Sequence, residues 1–225
     1  MSLRRLLRPE GSRCSIYFVA AGLLRRETSR VMNNGPSCLP RLPREYYQAD
    51  AVVHWTLTAY DRAKVCANPG VHRAFREVML HTCGRYSLIC PIYCLMPDHL
   101  HFVWMGSSRQ SDQLTAIRFL NTYFEPCLAP ARFQPQAHDE VLREKQRKRN
   151  AFCKICFYIA ANPVRAELVE NPADWPYTGS VILGYPKMNP LAEDHWDKFW
   201  RIYFMMRSAD AGDILRPPLS SPQLP

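Results

Sequence analysis

No segment of this sequence is apolar for long enough to cross a bilayer. The run near the start, Cys14 to Leu24, is eleven residues, against about 20 for a membrane-spanning helix. Arginines follow it directly, where a secretory leader would place small residues for cleavage. No membrane partner is expected, and a cytoplasmic location is. An internal repeat is also missing, which excludes solenoids and propellers. The nine cysteines are odd in number and scattered, so no disulfide framework can be read from them. The only C-x-x-C, Cys153 and Cys156, lacks the second pair that a structural zinc site needs. Reduced thiols serving as small buried hydrophobes are the reading that fits. Acidic charge is in deficit: 29 Lys and Arg face 20 Asp and Glu, for a net +9. That balance favours a polyanionic partner, most often nucleic acid.

What is present reads as one globular domain with extensions. Residues 1–45 include the Pro- and Asn-rich "RVMNNGPSCLPRLPRE" and are expected to form a disordered or weakly structured extension. The domain is placed at 46–185, and residues 186–225 at a C-terminal extension and tail. Along the domain, "AVVHWTLTAY" suits a strand, and Val71, Phe75, Val78 and Met79 recur at helical spacing. "LICPIYCLM" and "HLHFVWM" form a hairpin about the Pro97–Asp98 turn, with Pro91 forcing an edge or a bulge. A helix from a Ser111 cap to Pro126 follows, then a weak strand in "RFQPQAHDEVLR". The next helix runs up to Pro163, and the chain beyond Ala173 reads as aromatic and irregular. This order predicts an α+β, ferredoxin-like split βαβ fold, an antiparallel sheet with helices on one face.

Within "CLMPDHLHFVWM" the two-residue strand repeat puts His99, His101 and Val103 on one face and Leu100, Phe102 and Trp104 on the other. Two imidazoles roughly 7 Å apart on one face can converge on one cation, or they can be a plain surface pair. In "CFYIAANPVRAEL", Lys154, Tyr158 and Asn162 recur every four residues and share a helical stripe. Each has a bland alternative: a solvated charge, a core ring, and an Asn–Pro start to a new helix.

Together "MPDHLHFVWM" and "YIAANPVRAELVENPADWPYTGS" resemble the two motif blocks of the single-tyrosine HUH transposases, in the REP-associated tyrosine transposase branch. The likeness spans about residues 46–185. It implies His99 and His101 as ligands of Mg²⁺ or Mn²⁺, Asn162 as a third ligand from the helix, and Tyr158 as nucleophile. It further implies cutting and rejoining of single-stranded, hairpin-flanked DNA through a 5′-phosphotyrosine link. Lys154, or the metal, would favour charge on the phenol oxygen. Ala160, Ala161 and Glu167 depart from the residues common at those places in the family.

Asp98, beside His99, is a turn residue that could also support the metal ligands, with His138 and Asp139 as weaker candidates for that part. The run "REKQRKRN" supplies Arg143, Lys145, Arg147, Lys148 and Arg149 for phosphate contact, the alternative being a solvated helix face. A monomer or homodimer is expected. Competing readings are a replication- or transfer-type nickase using the same site, and a domesticated DNA-binding protein without catalysis.

Overall fold

The split βαβ order predicted from sequence forms twice. In the computed structural model, which describes residues 40–143 and 151–210, the first unit is β1 (Val52–Thr58), α1 (Pro69–Tyr86) and β2 (Leu88–Leu95). The second is β3 (His99–Gly106), α2 (Gln113–Phe124) and β4 (His138–Val141). With β5 (Thr178–Val181) they make a five-stranded sheet of order β4-β1-β3-β2-β5, antiparallel at every pairing. Strand β3 therefore separates β1 from β2, and β1 separates β3 from β4. Two further helices follow, α3 (Ala151–Arg165) and α4 (His195–Asp210).

Local chemistry sets these boundaries. Asn68 caps α1 by accepting from the Val71 amide, with Pro69 at the first helical position, and Ser87 closes the helix at φ 51°. Val71, Phe75, Met79 and Cys83 then form a four-residue row that is buried against the sheet. Helix α2 is capped by Asp112, one residue after the expected Ser111; its carboxylate accepts from the Leu114 and Thr115 amides. Ser111 instead donates its hydroxyl to the Ser87 carbonyl. Pro91 acts as a bulge: the register of β2 shifts there against both β3 and β5, because proline has no N–H for either ladder.

Alternation along the strands divides the core in two. Val53, Trp55 and Leu57 of β1 and Leu100, Phe102 and Trp104 of β3 pack under α1 and α2. Val52, Ile92, Val103 and Met105 face α3 and α4, against Phe152, Cys156, Ile159, Phe199, Ile202 and Tyr203. Each large apolar side chain fully buried this way contributes about 1.5–3 kcal/mol. The α+β class is the expected one, but helices cover both faces of the sheet rather than one. The reading of an irregular stretch after Ala173 is also corrected, since that stretch contains β5 and α4. No helix among the described residues is long and apolar enough to cross a membrane.

Candidate active site

The face of the sheet under α3 is apolar at one end and polar at the other. Thr56 pairs with both His101 and His138, His101 with Cys94, and Cys94 with Thr178. A row of five side chains, one from each strand, thus crosses the sheet on a single face. The neighbouring row on β1 and β4 is His54 opposite Glu140. Thr58 stands opposite His99 on the other side.

His99 and His101 lie with ring centroids 4.8 Å apart, closer than the strand repeat because the rings lean together. Each ring has its Nδ1 engaged by protein. His99 Nδ1 is 2.6 Å from Asp98 Oδ1, and Asp98 also receives the Arg62 guanidinium at 3.3 Å. Burial alone would raise the Asp98 carboxyl, but the hydrogen bond from His99 and the charge of Arg62 outweigh it and hold the group below its ordinary value. His101 Nδ1 is 2.9 Å from Thr56 Oγ1 and 3.1 Å from His54 Nε2. Burial, then the neighbouring His54 and His99 imidazoles and Arg165, push His101 down to about 2. A neutral ring with its Nδ1 engaged is the form in which imidazole offers Nε2 to a metal.

Tyr158 reaches this pair from α3. Its ring centroid is 5.7 Å from that of His101 and 6.3 Å from that of His54, both edge-on. The residue is 39% exposed, so Tyr158 is not sealed in core. Lys154 is exposed one turn earlier on the helix. Among the described residues, Arg165 places a cation on the tyrosine, its guanidinium carbon 4.6 Å over the ring.

Asn162 does not start a new helix. Helix α3 continues through Pro163 to Arg165, and the Ala166 amide bonds to the Asn162 carbonyl at 3.0 Å. Its side chain is buried one turn from Tyr158, and its Nδ2 has no hydrogen-bond partner among the described residues. A buried donor left unpaired costs roughly 1–3 kcal/mol, so Nδ2 suits an acceptor such as a phosphate oxygen, and a cation would be met by the Oδ1 of the same amide.

Of the supporting candidates, Asp98 is at the site and His138 is on its face. Asp139 is on the opposite face, bonded to Arg41 and Tyr47. Arg143 lies 5.7 Å over the Tyr46 ring. Lys145, Arg147, Lys148 and Arg149 fall outside the described residues. Sequence reading missed His54, Thr56, Glu140 and Arg165. The first two were signalled by the alternation in "HWTLT", whose polar members at 54, 56 and 58 share one face.

No group of three or more His, Cys, Asp or Glu side chains among the described residues is arranged to hold a metal. Two imidazoles engaged at Nδ1, and so able to offer Nε2, together with the Asn162 amide oxygen nonetheless fit a divalent cation whose remaining ligands are water or phosphate oxygen.

No protein-family model matches the chain. It is 24% identical over 146 residues to a Haemophilus influenzae protein assigned as a REP-associated tyrosine transposase, covering 60% of this chain and 82% of the relative. Among solved structures it matches a REP-associated tyrosine transposase bound to a REP hairpin, with a TM-score of 0.52 at 18% identity, covering 62% of this chain and 82% of the other. In sequence and in backbone alike, then, the chain is similar to the REP-associated tyrosine transposases, the branch its two motifs pointed to.

Proposed function

We propose that this chain is a DNA strand transferase that cuts and rejoins single-stranded, hairpin-flanked DNA through Tyr158. The observation that carries this reading is the packing of the Tyr158 ring against His101, within reach of the same phosphate that an ion on His99 and His101 would hold. The net charge of +9 suits a phosphate backbone, and the relative solved with a REP hairpin suits a folded-strand substrate.

In the cutting step the Tyr158 oxygen attacks phosphorus and the 3′-oxygen leaves with the proton that the phenol gives up or with one from water. The 5′ end stays on the enzyme as a phosphotyrosine. Rejoining reverses the exchange: a 3′-hydroxyl attacks the phosphotyrosine and the phenol is released. One phosphodiester replaces another, so no nucleotide cofactor is consumed. His99, His101 and Asn162 would hold Mg²⁺ or Mn²⁺, which as a Lewis acid supplies charge relief on the phosphate oxygens. Asp98 would keep His99 in register for that task, and Arg165, over the Tyr158 ring, would bring positive charge toward the phenol as its oxygen becomes negative.

The test is incubation with single-stranded hairpin DNA and Mg²⁺, followed by a denaturing gel. A covalent protein–DNA adduct is expected from the native chain and none from Tyr158→Phe, with DNA binding retained. An undiminished adduct in Tyr158→Phe moves the nucleophile elsewhere, with Tyr123 the next candidate. Rejoined strands among the products separate a transferase from an enzyme that nicks only.

A further inference from the structure

His101 Nδ1 has two neighbours, and they are not equivalent. The Thr56 hydroxyl rotates and can donate or accept, so it stabilises either tautomer of His101. His54 can do only one of these at a time. Its Nε2 faces His101 Nδ1 at 3.1 Å, while its Nδ1 faces Glu140 Oε2 at 3.9 Å, an electrostatic contact longer than a hydrogen bond. The carboxylate favours the His54 proton on Nδ1, which leaves Nε2 as an acceptor. An acceptor at that point requires the proton of His101 to sit on Nδ1, and so frees His101 Nε2. The reverse arrangement, with His54 donating from Nε2, would put the His101 proton on Nε2 and block that atom as a ligand.

We infer that His54, held by Glu140, is a positioning residue that selects the metal-binding tautomer of His101. The inference rests on the metal reading above and adds to it a residue pair on β1 and β4. The geometry supports this role over ligation by His54 itself, because its Nε2 is occupied by His101 Nδ1 at 3.1 Å. His54 is 8% exposed, so water does not readily replace it as the acceptor.

Mn²⁺ affinity tests this directly, read from the free-ion electron paramagnetic resonance signal in the absence of DNA. His54→Phe keeps a ring beside Tyr158 but removes the acceptor, and should weaken Mn²⁺ binding roughly 10–100-fold. His54→Gln, whose amide oxygen can accept from His101, should stay within about threefold of the native chain. Glu140→Ala, at a half-exposed edge-strand position, should give a smaller loss of several-fold and serves as the deciding variant if His54→Phe does not fold. Native affinity in both His54→Phe and Glu140→Ala overturns the positioning role while leaving the metal reading intact. Equal losses in His54→Phe and His54→Gln overturn the acceptor argument. If the native chain binds Mn²⁺ no better than His101→Ala, the metal reading fails, and this inference with it.

Discussion

Arg165 lies over the ring of Tyr158, two helical turns further along α3, and in the proposed mechanism it would be the cation that meets charge developing on the phenol. Lys154, on the same stripe, points to solvent. Arg165→Ala should slow adduct formation roughly 10–100-fold, within the range for removing one electrostatic stabiliser, and Arg165→Lys should recover part of the rate. Lys154→Ala should cost less than Arg165→Ala. Time courses of the denaturing-gel assay compare the three, and a larger loss from Lys154→Ala would return the role to the lysine.

Metal dependence should depend on Asp98. Chelation with EDTA should abolish the adduct, and His99→Ala should do the same at any Mg²⁺ concentration. Asp98→Asn keeps the side-chain shape but weakens its hold on His99, so the Mg²⁺ needed for half-maximal cutting should rise roughly tenfold. Undiminished cutting in EDTA would remove the ion from the mechanism.

His195 predicts an acid-labile α4. It is 1% exposed at the start of α4, stacked on Phe199, and burial pushes it down to about 4. In the unfolded chain the ring takes a proton near pH 6.5. Below that pH the unfolded state binds the extra proton and the folded state does not, so stability falls from about pH 6.5 down to about pH 4. The full contribution is on the order of 3 kcal/mol. Denaturant titrations at pH 7 and pH 4.5 should show this loss in the native chain and a smaller one in His195→Phe, which keeps the stacking without the titration.

Gly106, the last residue of β3, is there because the backbone passes too close for a side chain. A Cβ at that position would lie 1.6 Å from the Ala49 carbonyl oxygen. Gly106→Ala should therefore destabilise by more than the 1–3 kcal/mol typical of overpacking, since backbone rather than a flexible side chain must move. At Gly70, in the first turn of α1, the nearest atom is 3.4 Å away, and Gly70→Ala should be neutral or stabilising by about 0.5–1 kcal/mol. Thermal unfolding of the two variants makes the comparison.

Much of the site could be read from sequence because strand alternation is strict. The separation of His99 and His101 from Leu100, Phe102 and Trp104 needs only the pleat, and the structure has it. Alternation puts His54 on the polar face of β1, but it could not set His54 beside His101 or Glu140, because which strands are neighbours, and in what register, is decided by the whole sheet. Arg165 was hidden by Pro163, which reads as a stop although α3 passes through it for two more residues. Helix α4 was obscured by its own composition. His195, Phe199, Ile202 and Tyr203 make a regular buried stripe, but Trp196, Trp200 and Phe204 between them blur its period. Strand β5, at four residues with a glycine and a serine, carries too little pattern to stand out.

Tyr158 and the imidazoles belong to separate elements that meet across an apolar seam. Phe152, Cys156 and Ile159 of α3 rest on Ile92 and Val103, and that seam sets how far the Tyr158 oxygen stands from the sheet. Trimming Ile159 to alanine would touch neither DNA nor ion, yet it would let the helix settle and carry the phenol off line. In the proposed reaction inert hydrocarbon would thus act as the gauge block, and damage to it would look, in an activity assay, like damage to the chemistry.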